Sequence, residues 1–248
     1  MRHHGACVVR LLPCVLVAVG IVLAGCPPTK VTVDTSPEIE KYRVKMVAVM
    51  PFDALATPQV AERRDVELQA PQGMLRSDIT FAIPQTVEKF DSPTAVVPPH
   101  VAVKVTEAVY EKLRRLEGLL VLSPEATGQV KDSLGAKASG LAAADLAKQV
   151  AAKMSADAIL FGRVLVYQER VGGRWGATPA TVGFEVKLVA ADGRTLWVGN
   201  YYEKQKPLNE DLGGVFQRGI GFVTADELVQ YGADHVVQQF AFGGPASK

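Results

Sequence analysis

Cys26 is the residue of this sequence best placed to take part in covalent chemistry. It directly follows a 15-residue run, Leu11 to Gly25, that contains no charged side chain. The residues before the run are basic and include Arg2 and Arg10. A basic start, an apolar middle and small residues ahead of a cleavage site are typical of a secretory signal peptide. The sequence therefore predicts export, with cleavage close to Cys26.

The four residues Leu23-Ala24-Gly25-Cys26 resemble the lipobox of bacterial lipoproteins. In that family the Cys thiol receives a diacylglycerol, a dedicated peptidase cleaves before the Cys, and the new amine is usually acylated, for example with palmitate. The resemblance implies a signal peptide at 1–25 and a membrane anchor through lipid on Cys26. Such an anchor is stable because each buried methylene contributes about 0.8 kcal/mol.

Two other interpretations of this segment stay open. A permanent transmembrane helix needs about 20 apolar residues, and Pro27 and Pro28 would end a helix here. In a plain cleaved signal peptide, Cys26 would be incidental. For a lipoprotein, Pro27 stands where an Asp would indicate retention in the inner membrane. We therefore expect an anchor in the outer membrane, facing the periplasm, with the inner membrane as the alternative.

Composition narrows the classes of function. The chain of 248 residues has 27 basic and 26 acidic side chains, and loss of Arg2 and Arg10 leaves 25 against 26. A near-neutral chain without a basic block predicts no nucleic-acid partner. Cys7 and Cys14 would leave with the signal peptide. The mature domain therefore has no thiol for a disulfide or a metal.

Catalytic motifs are missing from the sequence. There is no phosphate-binding loop, no dinucleotide fingerprint and no G-x-S-x-G elbow. The two histidines of the mature chain, His100 and His235, lie outside any metal-binding spacing. Acidic pairs such as Asp226-Glu227 fall at predicted helix starts, where the helix dipole explains them. We expect a protein that is not an enzyme and has no cofactor and no metal.

Hydrophobic periodicity predicts the fold. The order is strand, helix, strand, helix, helix, strand, strand, strand, helix, which indicates an α/β fold. Its mixed sheet has early helical crossovers and a late antiparallel meander, with helices packed on the sheet. The capping-box form of Thr224 to Glu227 predicts the start of the last helix. The other predicted elements are Val44–Met50, His100–Leu116, Leu119–Leu122, a helix opened by Ser123-Pro124, Leu141–Met154, Ala158–Tyr167, Ala180–Ala190 and Leu196–Tyr202.

Two stretches lack a clear periodic pattern. Residues 26–42 comprise the lipidated Cys and a polar, proline-containing segment, predicted as a flexible tether that reaches about 50 Å when extended. The rest, 43–248, is predicted as a single α/β domain with an irregular, proline-rich insertion at about 54–99. Within that insertion, Leu75 to Ile83 alternates with period two and predicts one half-buried strand.

Aromatic side chains offer the best candidates for binding. Arg174 and Trp175 stand side by side in a Gly-rich loop between two predicted strands, and both residue types are enriched at interface hot spots. We predict that they bind a partner; in the alternative, Trp175 folds back over the sheet and Arg174 is solvated. Trp197 and the pair Tyr201-Tyr202 share one strand and are expected to pack in the core.

Three stretches carry a resemblance to a known family. They are Val47–Phe52 (VAVMPF), Ala156–Val164 (ADAILFGRV) and Val186–Trp197 (VKLVAADGRTLW). They resemble motifs of envelope lipoproteins related to CsgG, LpoB and the amino-terminal domain of TolB. These motifs mark strand ends and a hairpin, so they indicate fold more than function.

The resemblance implies three non-catalytic roles: activation of a peptidoglycan synthase, formation of an oligomeric secretion pore, or assembly of the envelope. The short tether disfavours an activator that must span the periplasm. A pore subunit should offer membrane hairpins, and only Leu75 to Ile83 qualifies. We therefore expect a lipid-anchored interaction module with an envelope protein as partner and homo-oligomer formation left open. The alternatives are a CsgG-like pore subunit and an enzyme on a cell-wall substrate, which would cluster Asp53, Arg163 and Arg174 in a deep pocket.

Overall fold

A computed structural model describes residues 30–56, 59–60, 94–135, 138, 140–173, 178–205 and 221–244. All the elements below lie within the unit Val31–Lys248. The strands are β1 (Val31–Thr35), β2 (Met46–Val49), β3 (Asp53–Ala54), β4 (Gln59–Val60), β5 (Thr94–Ala95), β6 (Leu120–Leu122), β7 (Ala158–Gln168), β8 (Thr181–Ala190) and β9 (Thr195–Lys204). The α-helices are α1 (Pro99–Leu113), α2 (Pro124–Ser133), α3 (Ala143–Met154) and α4 (Ala225–Gln238), and Ile39–Lys41 forms a 3₁₀ turn.

The described strands form one mixed sheet and one small pair. The sheet has the order β1-β9-β8-β7-β2-β6, with β3 also pairing with β7. β2 runs parallel to both β6 and β7, whereas β7, β8, β9 and β1 are successively antiparallel. β4 and β5 pair separately. The predicted α/β class is confirmed, with crossovers through helices early in the chain and a meander late.

Each face of the sheet carries two helices. α1 and α4 pack against each other and cover the face to which Phe184, Trp197 and Tyr201 point. α2 and α3 pack on the opposite face over β2 and the neighbouring parts of β7 and β8, around Ile159 and Val189. Apolar side chains alternate along the long strands because successive residues point to opposite faces.

The motifs that carry the family resemblance stabilise the fold. The Asp157 carboxylate accepts hydrogen bonds from the backbone N–H groups of Lys45 and Met46, at 2.8 and 2.9 Å, and so fixes the start of β2 beside β7. The ring of Phe52 packs directly against Gly162. The backbone N–H of Phe52 donates to Thr106 Oγ1 of α1 at 3.0 Å.

The prediction of a flexible tether up to residue 42 was wrong. Val31–Thr35 is an edge strand that pairs along its whole length with β9, from Val31 opposite Tyr201 to Thr35 opposite Trp197. The prediction failed because the strand is short and prolines surround it in sequence, while β9 supplies the hydrogen bonds from far along the chain. Only residues 27–30 separate Cys26 from the first strand.

The insertion at about 54–99 is described only at its two ends. β3 places Asp53 opposite Arg163 at the start, and α1 already begins at Pro99. The predicted strand Leu75 to Ile83 lies outside the described residues. Among the residues that are described, none of the helices combines the length and the apolar character needed to cross a membrane.

Candidate functional site

The three predicted site residues, Cys26, Arg174 and Trp175, lie outside the described residues. Their described neighbours in sequence are nevertheless informative. Val171 and Thr178 flank Arg174 and Trp175 and exchange two backbone hydrogen bonds, at 2.9 and 3.2 Å. The β7–β8 hairpin therefore continues past the ends of both strands, as far as Val171 before the predicted binding pair and Thr178 after it.

The register of the sheet relates the hairpin to the first strand. We define the β7–β8 end as the end of the sheet where β7 and β9 finish and where α1 and α4 begin. Val31 pairs with Tyr201, Tyr201 with Phe184 and Phe184 with Val164. β1 runs away from the β7–β8 end, so Val31 is its residue nearest to that end.

A network of polar side chains closes the β7–β8 end. Asp226, in the first turn of α4, accepts hydrogen bonds from Lys104 Nζ of α1 at 2.7 Å and from the Tyr167 hydroxyl of β7 at 2.7 Å. The bond from Lys104 and then that from Tyr167 lower the pKa of Asp226. Burial and the neighbouring Asp226 raise the pKa of Tyr167. This network ties one strand to both helices of the same face.

Side chains of the loop after β7 also bind the backbone at the start of α4. The Glu169 carboxylate accepts a hydrogen bond from the Ala225 N–H at 3.1 Å, and the Arg170 guanidinium donates to the Phe222 carbonyl at 2.6 Å. The predicted capping box is confirmed: Thr224 Oγ1 accepts from the Glu227 N–H, and the Glu227 carboxylate accepts from the Thr224 N–H. These contacts hold the helix against β7.

The opposite face of the sheet is only partly covered. α2 and α3 cover β2 and parts of β7 and β8. Further along, Arg163 is exposed and Glu185 and Lys187 are half-buried, with the Lys187 Nζ and Glu185 Oε1 atoms 4.0 Å apart. Together with Asp53 these side chains line a groove of about 220 Å³ beside the start of α3. We call this polar surface the open face.

The open face bears on the catalytic alternative. The expectation of an enzyme required Asp53, Arg163 and Arg174 in a deep pocket. Asp53 and Arg163 do lie opposite each other in β3 and β7, but both are exposed to solvent. Arg174 lies outside the described residues. The described part of this cluster is therefore a surface groove with alternating charges.

Tyr202 is a feature that the sequence prediction placed wrongly. Trp197 and Tyr201 are buried as expected, each 1% exposed, but Tyr202 is 59% exposed on the open face. Its ring lies beside Val166 over Gly183, where a Cβ atom would be 3.0 Å or less from both side chains. Strand alternation supplies the missing signal, because adjacent residues point to opposite faces.

One of the two described histidines makes contacts within its own helix, α4. His235 Nδ1 lies 2.9 Å from the Tyr231 carbonyl one helical turn earlier, and its ring stacks on the Tyr231 ring. Within the described ranges, His, Cys, Asp and Glu side chains do not form a group of three that could hold a metal ion.

Comparisons with known proteins add solved structures of low similarity. No family model and no curated protein matches the chain. A PelC dodecamer from Paraburkholderia phytofirmans is 11% identical, with a TM-score of 0.42, and the match covers 84% of this chain and 95% of that one. The LpoB C-terminal domain from Escherichia coli is 12% identical, with a TM-score of 0.34, over 68% and 94%.

A third solved structure is lipoprotein GNA1162 from Neisseria meningitidis, 13% identical with a TM-score of 0.30, over 70% of this chain and 96% of that one. At such identities, and with TM-scores below 0.5, the similarities assign neither a family nor a function to this chain.

Proposed function

We propose that the protein is a lipid-anchored, non-catalytic interaction module of the bacterial cell envelope. It faces the periplasm and takes part in envelope assembly or in the regulation of an envelope machine. The observation that carries the proposal is the charge-free run that ends in Leu23-Ala24-Gly25-Cys26. Pro27 after the Cys favours the outer membrane.

The position of the first strand supports an anchored module. Because β1 begins at Val31, five residue steps separate it from Cys26, and they reach at most about 17 Å. A lipid on Cys26 therefore keeps the sheet close to the membrane. This spacing also disfavours a role that requires reach across the periplasm.

The distribution of charge supports binding rather than catalysis. At the β7–β8 end, Asp226 pairs with Lys104 and Glu169 binds the start of α4, so these carboxylates stabilise the fold. Arg174 and Trp175 follow the described part of the hairpin in sequence. We propose them as anchors for an envelope protein, since Arg and Trp contribute strongly to interface energies.

The experiment combines crosslinking with a matched pair of variants. The tagged full-length chain is captured from crosslinked envelopes, and mass spectrometry identifies both the copurified proteins and the modification of Cys26. We expect acylated Cys26 and one dominant envelope partner that Arg174→Ala/Trp175→Ala loses. Arg115→Ala/Leu120→Ala, an exposed Arg and apolar pair at the other end of the sheet, should retain it.

Other outcomes would replace the proposal. An unmodified Cys26 on a released protein would overturn the anchor. A ring-shaped self-assembly without another partner would indicate a pore subunit instead. Turnover of a cell-wall substrate by the purified protein, lost in Asp53→Asn or Arg163→Ala, would establish the enzyme. Membrane attachment is checked separately with Cys26→Ser, which should release the protein from the membrane fraction.

A further inference from the structure

We propose that the β7–β8 end of the domain rests on the phospholipid headgroups of the membrane that holds the Cys26 lipid. The inference rests on the proposed lipid anchor and goes beyond it, because it assigns a membrane-contacting surface. Its contact side chains among the described residues are Val171 of the hairpin and Tyr202 of β9.

The tether and the part of the sheet beyond Val31 have similar lengths. The tether from Cys26 to Val31 extends to about 17 Å at most, and a coil of five residues averages only about 12 Å. Val31 pairs with Tyr201, and β9 continues from there for three residues to Lys204, about 10 Å further towards the β7–β8 end. The sheet thus projects from Val31 about as far as the tether reaches.

The hairpin between β7 and β8 adds to the distance that the domain projects beyond Val31. β7 ends at Gln168, but Val171 still pairs with Thr178 beyond it. The chain therefore extends past the end of the sheet by several residues. Because the tether has little length to spare, this end of the domain meets the lipid surface when Cys26 is inserted. The envelope protein proposed to bind Arg174 and Trp175 would then meet the domain at the surface of that membrane.

Exposed apolar side chains are concentrated at the same end of the domain. Among the described residues, five large hydrophobic side chains are exposed: Val96, Val103, Leu120, Val171 and Tyr202. Val171 follows Glu169, which binds the start of α4, and Val103 precedes Lys104, which binds Asp226. Val96 lies three residues before α1. Four of the five therefore lie at or near the β7–β8 end.

Leu120 is the exception and serves as an internal reference. It pairs with Met46, the first residue of β2, at the level where β7 begins. The 11 residues of β7 separate that level from the β7–β8 end, a distance of roughly 35 Å. A label at Leu120 therefore reports on the far end of the domain.

The chemistry of the contact fits lipid headgroups. Tyrosine is enriched at membrane–water interfaces because its ring is apolar and its hydroxyl is polar. Tyr202 is opposite Gly183 in β8 and on the strand next to β1, one position beyond the residue that pairs with Val31. The carboxylates of Asp226 and Glu169 at this end already have partners in the protein. Contact with the membrane therefore does not remove either carboxylate from water without a partner.

The test uses the cysteine content of the chain. Cys7 and Cys14 precede the cleavage point and Cys26 carries the lipid, so a new cysteine is the single free thiol of the mature protein. Val171→Cys, Tyr202→Cys and Leu120→Cys are prepared as the full lipidated chain and labelled with an environment-sensitive fluorophore. They are then reconstituted into phosphatidylethanolamine–phosphatidylglycerol vesicles that contain a headgroup-quencher lipid. Val103→Cys provides a further label at the same end that leaves the sheet untouched.

We expect the quencher to remove most of the emission at positions 171 and 202 and little at position 120. Equal quenching at all positions, or strong quenching at 120 alone, would overturn the inference. Mass spectrometry of the same preparation separates the two proposals. Acylated Cys26 without selective quenching overturns only the membrane-contacting surface, whereas unmodified Cys26 overturns both.

Discussion

The two faces of the sheet differ in the size of the side chains that they bury. The face under α1 and α4 encloses Trp197, Tyr201 and Phe184, which are among the largest fully buried side chains of the described residues. The face under α2 and α3 encloses alanines, valines, Ile159 and Met50, and it continues into the open face with Arg163 and Glu185. Aromatic side chains bury more area each than aliphatic ones do.

This difference predicts which face of the sheet stabilises the fold and which face stays available for binding. The aromatic face holds most of the apolar surface that folding removes from water, and burial of that surface is the main favourable contribution to folding. The other face contributes less and keeps a polar surface free. We therefore expect substitutions to affect stability strongly on the first face and weakly on the second.

The largest expected effect is that of Trp197→Ala. The indole is 1% exposed, packs edge-on against Phe240 with ring centroids 5.1 Å apart, and donates a hydrogen bond to the Gln239 carbonyl at 3.1 Å. Truncation creates a cavity, so we expect a loss of about 3–5 kcal/mol in the free energy of unfolding. Urea unfolding with linear extrapolation measures it.

A smaller change is available on the other face. Ile159→Val removes one methylene from the smaller cluster and should cost about 0.5–1.5 kcal/mol. A pair of equal size compares the faces directly: Leu160→Ala on the aromatic face and Ile159→Ala on the other, both 0% exposed in β7. Equal losses in that pair, within the range of about 2–5 kcal/mol for such truncations, would contradict the contrast between the faces.

The next effect is that of Gly232→Ala in α4. A Cβ atom there would lie 2.4 Å from the Tyr201 ring, and that ring is held by a hydrogen bond from its hydroxyl to Glu203 at 2.7 Å. We expect a net loss of about 1–3 kcal/mol from the forced displacement, although alanine is the better helix former. Thermal and urea unfolding measure this loss.

Gly128→Ala in α2 tests the same change on the other face. Its Cβ atom would lie 3.3 Å from the Pro51 side chain, a contact that a small shift relieves. The gain in helix propensity is about 1 kcal/mol, so we expect stability within about 1 kcal/mol of the wild type. A loss as large as that of Gly232→Ala would show that both faces are packed equally tightly.

The helices on the two faces also differ in how their first turns are capped. α4 begins with the capping box of Thr224 and Glu227, whereas Ala142 at the start of α3 provides no side-chain cap. Thr224→Ala should cost about 1 kcal/mol, and Ala142→Ser should gain a similar or smaller amount. Circular dichroism during urea unfolding checks both changes. A neutral Thr224→Ala would show that packing alone holds the α4 start.

Local patterns in the sequence predicted most of the elements. The predicted helix 141–154 was observed as Ala143–Met154 and the predicted strand 158–167 as Ala158–Gln168, because periodicity and burial agree there. Ser123 also caps α2 as predicted, accepting a hydrogen bond from the Ala126 N–H. β1 was missed because its partner β9 is far along the chain and its own five residues carry little signal.

The sites were less predictable than the fold. The Lys104–Asp226–Tyr167 network joins residues that are 122 and 59 positions apart, and no local pattern indicates such a contact. The sequence explained Asp226 by the helix dipole alone. The roles of Cys26, Arg174 and Trp175 stay predictions.

The smallest expected effect concerns that network and its dependence on pH. The hydrogen bond from Lys104, and then that from Tyr167, lowers the pKa of Asp226. A lowered pKa means that the contribution to stability is present above the unfolded-state value, near pH 4, and is lost as the pH falls through the folded-state value. Both side chains of the ion pair are about half exposed, so screening limits the contribution to less than about 1 kcal/mol.

Asp226→Asn should therefore lower the free energy of unfolding slightly at pH 7, and the difference from the wild type should shrink below pH 4. Tyr167→Phe removes the second hydrogen bond to Asp226. It should therefore also lower the free energy of unfolding slightly at pH 7, and its difference from the wild type should also shrink in acid. Urea unfolding at pH 7 and at about pH 2.5, below the unfolded-state pKa, measures both variants. If the Asp226→Asn difference persists undiminished in acid, Asp226 acts through packing and not through its charge.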